Sequence, residues 1–550
     1  MGKLPERFNI DLEPEPKEKS VVSGDGFRFT ILTSRMIRME YDPNNTFEDR
    51  GTQVFWYRNQ PVPEYKFNQE NNQIIIETKY LKLVYAKDKG KGFNKNNLKI
   101  KLKEMDKTWS YGDQNPGNLS GTIRTLDGNN GSMVLDKGLI SRDGWSLVDD
   151  SDSLVFDQEG WLKEGYYNSN NGQDLYFFGY GHNYQRCISD FCRIAGRVPH
   201  LPRWVFGNWW SRYWDYEQKE LKDLMQQFKD KRIPLSVCVI DMDWHIVKNK
   251  YTDGWTGYTW NKDLFPSPEK FIDWLHKQGL KTALNLHPAD GIHPHEAQYE
   301  EFAKFMGIDP ESKIPVKFNI SDPRFIEGYF SILHHPQEEK GVDFWWIDWQ
   351  QGKDTDLAGL DPLWALNHFH FYDQSDNENR PLIFSRWSGL GSHRYPIGFS
   401  GDTVVTWDSL KFQPYMTATA SNVAYGWWSH DIGGHYFGCE DPELYTRWVQ
   451  FGVFSPIMRL HCSSDPYLDR RPWTKGDEVL HICREYMQLR HALIPYIYTM
   501  SRRNHKQGIP LPRPMYYQYP KREEAYVCPN QYYFGSELLV APFLEPRNEE

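Results

Sequence analysis

Val342-Asp343-Phe344-Trp345-Trp346-Ile347-Asp348 and Gly398-Phe399-Ser400-Gly401-Asp402 are short apolar runs that each end in a carboxylate. Runs of this length, too short for helices and flanked by turn residues, read as fully buried strands. Six more follow the same grammar: Val205–Ser211, Leu235–Asp241, Lys281–His287, Leu382–Arg386, Trp427–Ile432 and Pro456–His461. Helical patterns separate most of them, at Glu217–Lys229, Pro268–Gln278 and Pro442–Phe451 among others. Eight buried strands with interleaved helices predict an α/β fold, a (β/α)₈ TIM barrel. In such a barrel the functional site lies at the C-terminal strand ends. Those ends read Trp210, Asp241, His287, Asp348, Arg386, Asp402, Asp431 and His461, a concentration of ionisable groups that packing alone does not call for.

Outward from the barrel the pattern changes to β structure on both sides. Phe27–Leu32, Met36–Tyr41, Gln73–Thr78 and Leu81–Tyr85 alternate in polarity and are punctuated by Gly, Asn, Asp and Pro. They predict an N-terminal antiparallel β-sandwich over residues 1–195, with Pro199 and Pro202 marking the joint to the barrel over 196–506. Residues 507–550 read as the start of a C-terminal β domain, with a strand near Tyr532–Phe543. An unfinished β region would expose apolar surface, so marginal stability is expected.

Bulk composition removes several function classes. A net charge of −10, with Lys and Arg scattered, argues against a nucleic-acid partner. No apolar run is long enough for a membrane span, and Met1-Gly2-Lys3-Leu4-Pro5-Glu6 lacks the apolar stretch of a secretory signal, so a cytoplasmic protein is expected. The seven cysteines include no CxxC pair and suit free thiols in a reducing compartment. Aromatic residues reach 16%, with 22 Trp, and flat aromatic faces suit the C–H surfaces of sugar rings as well as a large core.

A carboxylate that closes a buried run loses hydration, so its pKa rises unless a partner holds the charge. Two of them at one barrel mouth suit glycoside hydrolysis, in which one attacks and the other donates a proton. Trp346-Ile347-Asp348, Ser385-Arg386, His393-Arg394-Tyr395, Ser400-Gly401-Asp402, His430-Asp431-Ile432-Gly433-Gly434 and Ser455-Pro456-Ile457-Met458-Arg459-Leu460-His461 then resemble, in their order, glycoside hydrolase family 31, the retaining α-glucosidase and α-xylosidase family. The resemblance implies that Asp348 is the nucleophile and Asp402 the general acid/base, with carboxyl groups about 5–5.5 Å apart and net retention of the α configuration. It also implies that Asp241, Asp431 and His461 hold sugar hydroxyls, that Trp210 and Trp346 wall the pocket, and that Arg386 is the pocket arginine. His287, Trp349, Phe399 and His435 complete the expected substrate-binding set, Phe399 and Trp407 by keeping water from Asp402. Arg394 and Arg459 are open between ligand contacts and structural ion pairs. His430 is open between ligand group and core histidine, and Asp243 between a helix cap and support of the site.

Some positions depart from the family's common pattern. Asp348 is followed by Trp349-Gln350-Gln351 in place of an apolar residue and Asn-Glu, and Gly434 by His435 where common α-glucosidases carry Phe. The stretch between Asp348 and Asp402 is also short. These changes bear on the sugar and linkage preferred. The loop Lys248–Asn261, with Gly254-Trp255-Thr256-Gly257-Tyr258, reads either as a pocket rim that stacks on a second sugar or as packing against the sandwich. His287, His293 and His295 lack a matching Asp/His set, so no metal and no cofactor is expected. The expected activity is that of an exo-acting retaining α-glycosidase on an oligosaccharide partner, most simply an α-glucosidase. An α-xylosidase, α-galactosidase, α-N-acetylgalactosaminidase or transglycosylase of the same family, or a non-catalytic sugar-binding relative, are the alternatives. Whether the chain forms a homo-oligomer is left open.

Overall fold

The computed structural model describes residues 4–547 apart from 71, 89–90, 168–170, 252–253, 350–351 and 375–379. Eight parallel strands form the barrel: β1 Asn208–Trp210, β2 Val237–Ile240, β3 Lys281–Leu286, β4 Phe344–Ile347, β5 Ile383–Phe384, β6 Gly398–Phe399, β7 Trp428–Ser429 and β8 Met458–Leu460. Six of them pair in the order β5-β4-β3-β2-β1-β8, and β6 pairs with β7. Parallel bridges Ser385↔Gly398 and Ser429↔Ile457 connect the two groups and close the ring. All eight lie inside the stretches expected from the apolar runs, each shorter than its run. At β1 the run starts late because Arg203–Phe206 winds into a 3₁₀ turn behind Pro202. At β6 only Gly398–Phe399 is strand, so Asp402 stands on the following loop rather than on a strand end.

The helices owe their places to one-sided apolar spacing. In Gln218–Asp230 the buried residues are Leu221, Leu224, Met225 and Phe228, which fall on one face, and the Glu217 backbone N–H donates to the Glu220 carboxylate at the N-terminus at 3.1 Å. Pro362–Asp373 differs, being buried on nearly every side. It lies between the barrel and the N-terminal region, where Trp364 and His368 face Phe156 and Trp56. A helix apolar all round needs partners all round.

Two five-stranded antiparallel sheets make the N-terminal sandwich. One contains Val21–Gly24, Phe27–Thr33, Met36–Tyr41, Gln173–Phe178 and Ser146–Asp149; the other is a meander from Tyr65–Glu70 to Lys107–Ser110. Phe29, Ile31, Met39, Ile76, Leu83, Ile100 and Phe177 fill the space between them. The second face of the first sheet is polar yet buried. There Arg38 pairs with Asp174 at 2.6 Å and Glu40 at 3.0 Å, and Arg28 with Glu40 at 2.7 Å. Alternation in the sequence therefore marks the two faces correctly, but neither faces water. Beyond the helices Asp477–Ala492 and Ile494–Gln507, strands Pro512–Pro514, Tyr532–Phe534 and Leu538–Val540 form a three-stranded antiparallel sheet. Among the described residues no helix is long and apolar enough to cross a membrane.

Candidate active site

At the C-terminal mouth of the barrel, β4 delivers Asp348 and β5 delivers Arg386. Arg386 Nη2 and Nε donate to Asp348 Oδ1 at 2.7 and 3.1 Å. His287, at the end of β3, places Nε2 at 3.4 Å from Asp348 Oδ2. Burial alone would push the Asp348 carboxyl up; the charge of Arg386 and the hydrogen bond and charge of His287 overcome it and hold the group well below the usual carboxylate range. Asp402 experiences the opposite balance. Desolvation, opposed by His435 and reinforced by Asp348, Asp431 and Asp127, pushes its pKa up to about 7. Two carboxylates in one pocket therefore hold different protonation states near neutrality, one ionised and one able to keep its proton.

The inner wall follows from strand alternation. Trp346 and Phe399 point into the barrel, with ring centroids 5.0 Å apart, and His461 stands edge-on to Trp346 at 5.2 Å. Arg459, on β8, lies within 5.2 Å of the ring centroids of Trp346, Phe384 and Phe399 and pairs with Asp431. The question left open for Arg459 thus resolves as a buried ion pair beneath the pocket. Arg394 instead donates to the carbonyls of Val54 and Ala195 and ties the barrel to the N-terminal region. His430 bonds Thr417 and Ser400 at 2.7 and 2.8 Å and is a satisfied core histidine.

Trp210 is a correction. On β1 the inward residues are Trp209 and Ser211, so Trp210 is turned outward onto Phe228 of the covering helix, centroids 5.1 Å apart. Ser211 takes the inward place and its Oγ meets His461 Nδ1 at 2.7 Å. Trp349, expected in the substrate-binding set, packs its ring against Phe318 at 5.3 Å, and its Nε1 donates to the Gly352 carbonyl. Gln350 and Gln351 lie outside the described residues. Asp241 is buried at the end of β2, Oδ1 accepting from the Met242 N–H at 2.7 Å and Oδ2 at 3.8 Å from His461 Nε2. Burial and the nearby Asp348 push its pKa up to about 7 despite the Met242 hydrogen bond. Asp243 follows it in the 3₁₀ turn Met242–Trp244.

One feature escaped the sequence reading: Asp127, on the segment between the two N-terminal sheets. Its Oδ1 accepts from Arg386 Nη1 at 3.0 Å and from the Asp402 backbone N–H at 2.8 Å. Leu126 N–H donates to the Ser400 carbonyl and Gly128 N–H to the Asp402 carbonyl, at 2.7 and 2.9 Å. Gly401 makes this approach feasible: its φ is +99°, and a Cβ there would meet Asp127 Oδ1 and Thr125 Oγ1 at 2.5 Å. Asp127 lies in Thr125-Leu126-Asp127-Gly128-Asn129-Asn130-Gly131, a loop whose composition carries no chemical signature. The Lys248–Asn261 loop, read from sequence as a pocket rim or as packing on the sandwich, seats on the barrel. Tyr258 N–H and Thr259 Oγ1 donate to Glu296, and Trp260 Nε1 to Gln337, so the loop is pinned to the barrel. It presents Trp255, 49% exposed, edge-on to His287 at 4.9 Å.

Asp431, His435 and His461 offer atoms within 4.8 Å of one another. Asp431 is already neutralised by Arg459 and bonded by His435 Nδ1 at 2.9 Å, which suits a hydroxyl-binding set better than a cation. His335, Glu338 and Asp373 also cluster, on the opposite face of the barrel, but Arg7 occupies Asp373 and Trp345 Nε1 donates to Glu338.

Residues 198–500 match the family model for the glycosyl hydrolases family 31 TIM-barrel domain, and residues 508–550 the model for the family's C-terminal domain. The chain belongs to glycosyl hydrolase family 31. It is 24% identical over 398 residues to an α-xylosidase of Saccharolobus solfataricus, a match covering 68% of this chain and 52% of that protein. It is 24% identical over 433 residues to α-glucosidase 2 of Bacillus thermoamyloliquefaciens, covering 73% and 54%. The chain thus spans about half the length of these relatives. Among solved structures, a family 31 dextranase of Flavobacterium johnsoniae complexed with isomaltotriose superposes with a TM-score of 0.74 at 19% identity, covering 98% of this chain and 75% of that one. A family 31 α-xylosidase from a soil metagenome complexed with xylose gives 0.72 at 18%, covering 96% and 90%.

Proposed function

We propose that this chain is a retaining, exo-acting α-glycosidase that releases terminal α-glucosyl residues from oligosaccharides. The observation that carries the reading is the opposite treatment of Asp348 and Asp402. Asp348, kept ionised by Arg386, attacks the anomeric carbon. The glycosidic C–O bond breaks as Asp402 passes its proton to the leaving oxygen. A water then gives a proton to Asp402 and attacks the same carbon, and the bond to Asp348 breaks; two inversions retain the α configuration. Asp241, Asp431, His435 and His461 supply donors and acceptors to sugar hydroxyls that lose water on binding. Among the described residues His461 Nε2 is buried without a hydrogen-bond partner, and a hydroxyl would satisfy it. A terminal α-xylosyl unit is the second reading, favoured by relatives named α-xylosidase as well as α-glucosidase. The seven free cysteines fit a cytoplasmic setting.

Release of p-nitrophenol from a panel of p-nitrophenyl α-glycosides tests this. Turnover of one α-sugar that disappears in both Asp348→Ala and Asp402→Ala, with azide restoring Asp348→Ala and giving an inverted product, would establish the reading and name the sugar. A folded chain inactive on every α-glycoside and on natural disaccharides would overturn it.

A further inference from the structure

His435 stands between two carboxylates of different standing. Its Nδ1 lies 2.9 Å from Asp431 Oδ2 and 3.5 Å from Asp402 Oδ1. The other oxygen of Asp431 is taken by Arg459, and an ionised carboxylate only accepts, so Nδ1 carries a hydrogen. The ring is buried and packs on two others, His461 at 5.1 Å and Tyr436 at 5.3 Å. The backbone is held in place as well: His435 N–H donates to the Thr403 carbonyl at 2.8 Å, and Arg470 Nη2 holds the Gly434 carbonyl at 2.9 Å. This imidazole cannot drift away from Asp402.

We infer that His435 is a positioning residue for proton transfer, a fixed cation beside Asp402 that governs how readily the acid yields its proton and takes it back. The inference rests on the glycosidase reading above. When Asp402 gives its proton to the leaving oxygen, a negative charge forms in a desolvated pocket. An imidazolium at 3.5 Å stabilises that charge as it develops, so bond cleavage is eased. In the second half of the cycle the same cation makes the carboxylate a weaker base toward water. The proton that moves leaves Asp402 for the leaving group and is replaced from water; none is passed from His435.

The surrounding charges support an imidazolium. Facing His435 are Asp431 on its own loop, Asp402 on the loop after β6, and Asp241 after β2. His461, just after β8, is the opposing group, and Arg459 on β8 is spent on Asp431. Burial opposes the charge, but Asp402, Asp431 and Asp241 prevail and hold the imidazole above its ordinary pKa. Asp348 and Asp127 act on Asp402 in the other direction and keep its proton on.

Two variants and one spectroscopic measurement decide the matter. His435→Phe and His435→Gln both remove the charge, and Gln keeps an N–H for Asp431. With the cation gone, Asp402 holds its proton to higher pH. The alkaline limb of kcat/KM on the best p-nitrophenyl α-glycoside should then move up by about one pH unit or more in both variants. A change in KM with the limb where it is in the wild type would overturn the inference and leave His435 only the hydroxyl-binding role given above. Independently of turnover, the ¹⁵N resonance of the His435 ring, assigned by its loss in His435→Gln, should titrate at lower pH in Asp402→Asn than in the wild type, again by about one unit. An unmoved titration overturns the coupling even if the enzyme is active. If no glycoside is turned over, the functional reading fails while the resonance still tests the coupling.

Discussion

Arg386 decides the state of Asp348, because the same carboxyl left buried without a cation would be driven upward rather than held down. In the mechanism proposed above Asp348 must be ionised to attack, so activity should be lost as pH falls through its pKa. Removing the cation raises that pKa and moves the loss to higher pH. Arg386→Met should therefore shift the acid limb of kcat/KM upward by about one to three pH units and narrow the profile. A pH–rate series on the two proteins checks this. In the unaltered enzyme the alkaline limb should lie near the value of about 7 to which Asp402 is raised, since the acid loses its proton above it. At this scale the sequence was informative wherever a charge closed an apolar run. Asp348, Asp402, Asp241, Asp431 and His461 all carried that signature. Trp210 did not yield to the same reading because a three-residue strand has two faces and nothing local says which residue is first inward; the parity only became visible through Ser211 and His461. His287 was expected to touch sugar, and its place beside Asp348 depends on a contact between strands that spacing does not encode.

The elements that matter are short. β6 contributes two strand residues, and the acid is held by the loop after it rather than by the sheet. That loop depends on Gly401, whose positive φ and contact with Asp127 and Thr125 leave no space for a methyl group. Gly401→Ala should cost about 1–3 kcal/mol of stability through the strained backbone and displace Asp402. Thermal unfolding together with kcat should show both losses; an unchanged melting temperature and full activity would contradict this account. The barrel strands were legible because their apolar runs are unbroken, and the helix Gln218–Asp230 because its buried residues share a face. Strand limits were less so, since a run such as Val205–Ser211 does not reveal that its first half turns into 3₁₀ helix.

Across the whole molecule, the N-terminal region reaches into the candidate active site through Asp127. Asp127 is 259 residues from Arg386 and 275 from Asp402 in the chain, a separation at which composition and periodicity say nothing. Asp127→Ala leaves an Arg386 N–H and the Asp402 backbone N–H without their shared acceptor. Lost hydrogen bonds to a charged group are worth about 1–3 kcal/mol, so kcat/KM should fall roughly ten- to hundredfold. A drop of less than twofold in steady-state assays would show that the barrel positions both carboxylates by itself. The helix Pro362–Asp373 and the contacts of Arg394 bind the same two regions further back, so the sandwich is not a detachable appendage.

One oxygen atom, Asp127 Oδ1, is grasped both by the counterion of one carboxylate and by the backbone of the other. The seam between two separately wound parts of the chain thus runs through the candidate active site, and any slippage along it would be felt as a change in spacing between the two acids. Thermodynamic reciprocity then requires that occupying the centre stiffen the seam. A tight iminosugar bound at the barrel mouth should slow deuterium uptake in the backbone around residues 125–129 as strongly as in the barrel loops themselves.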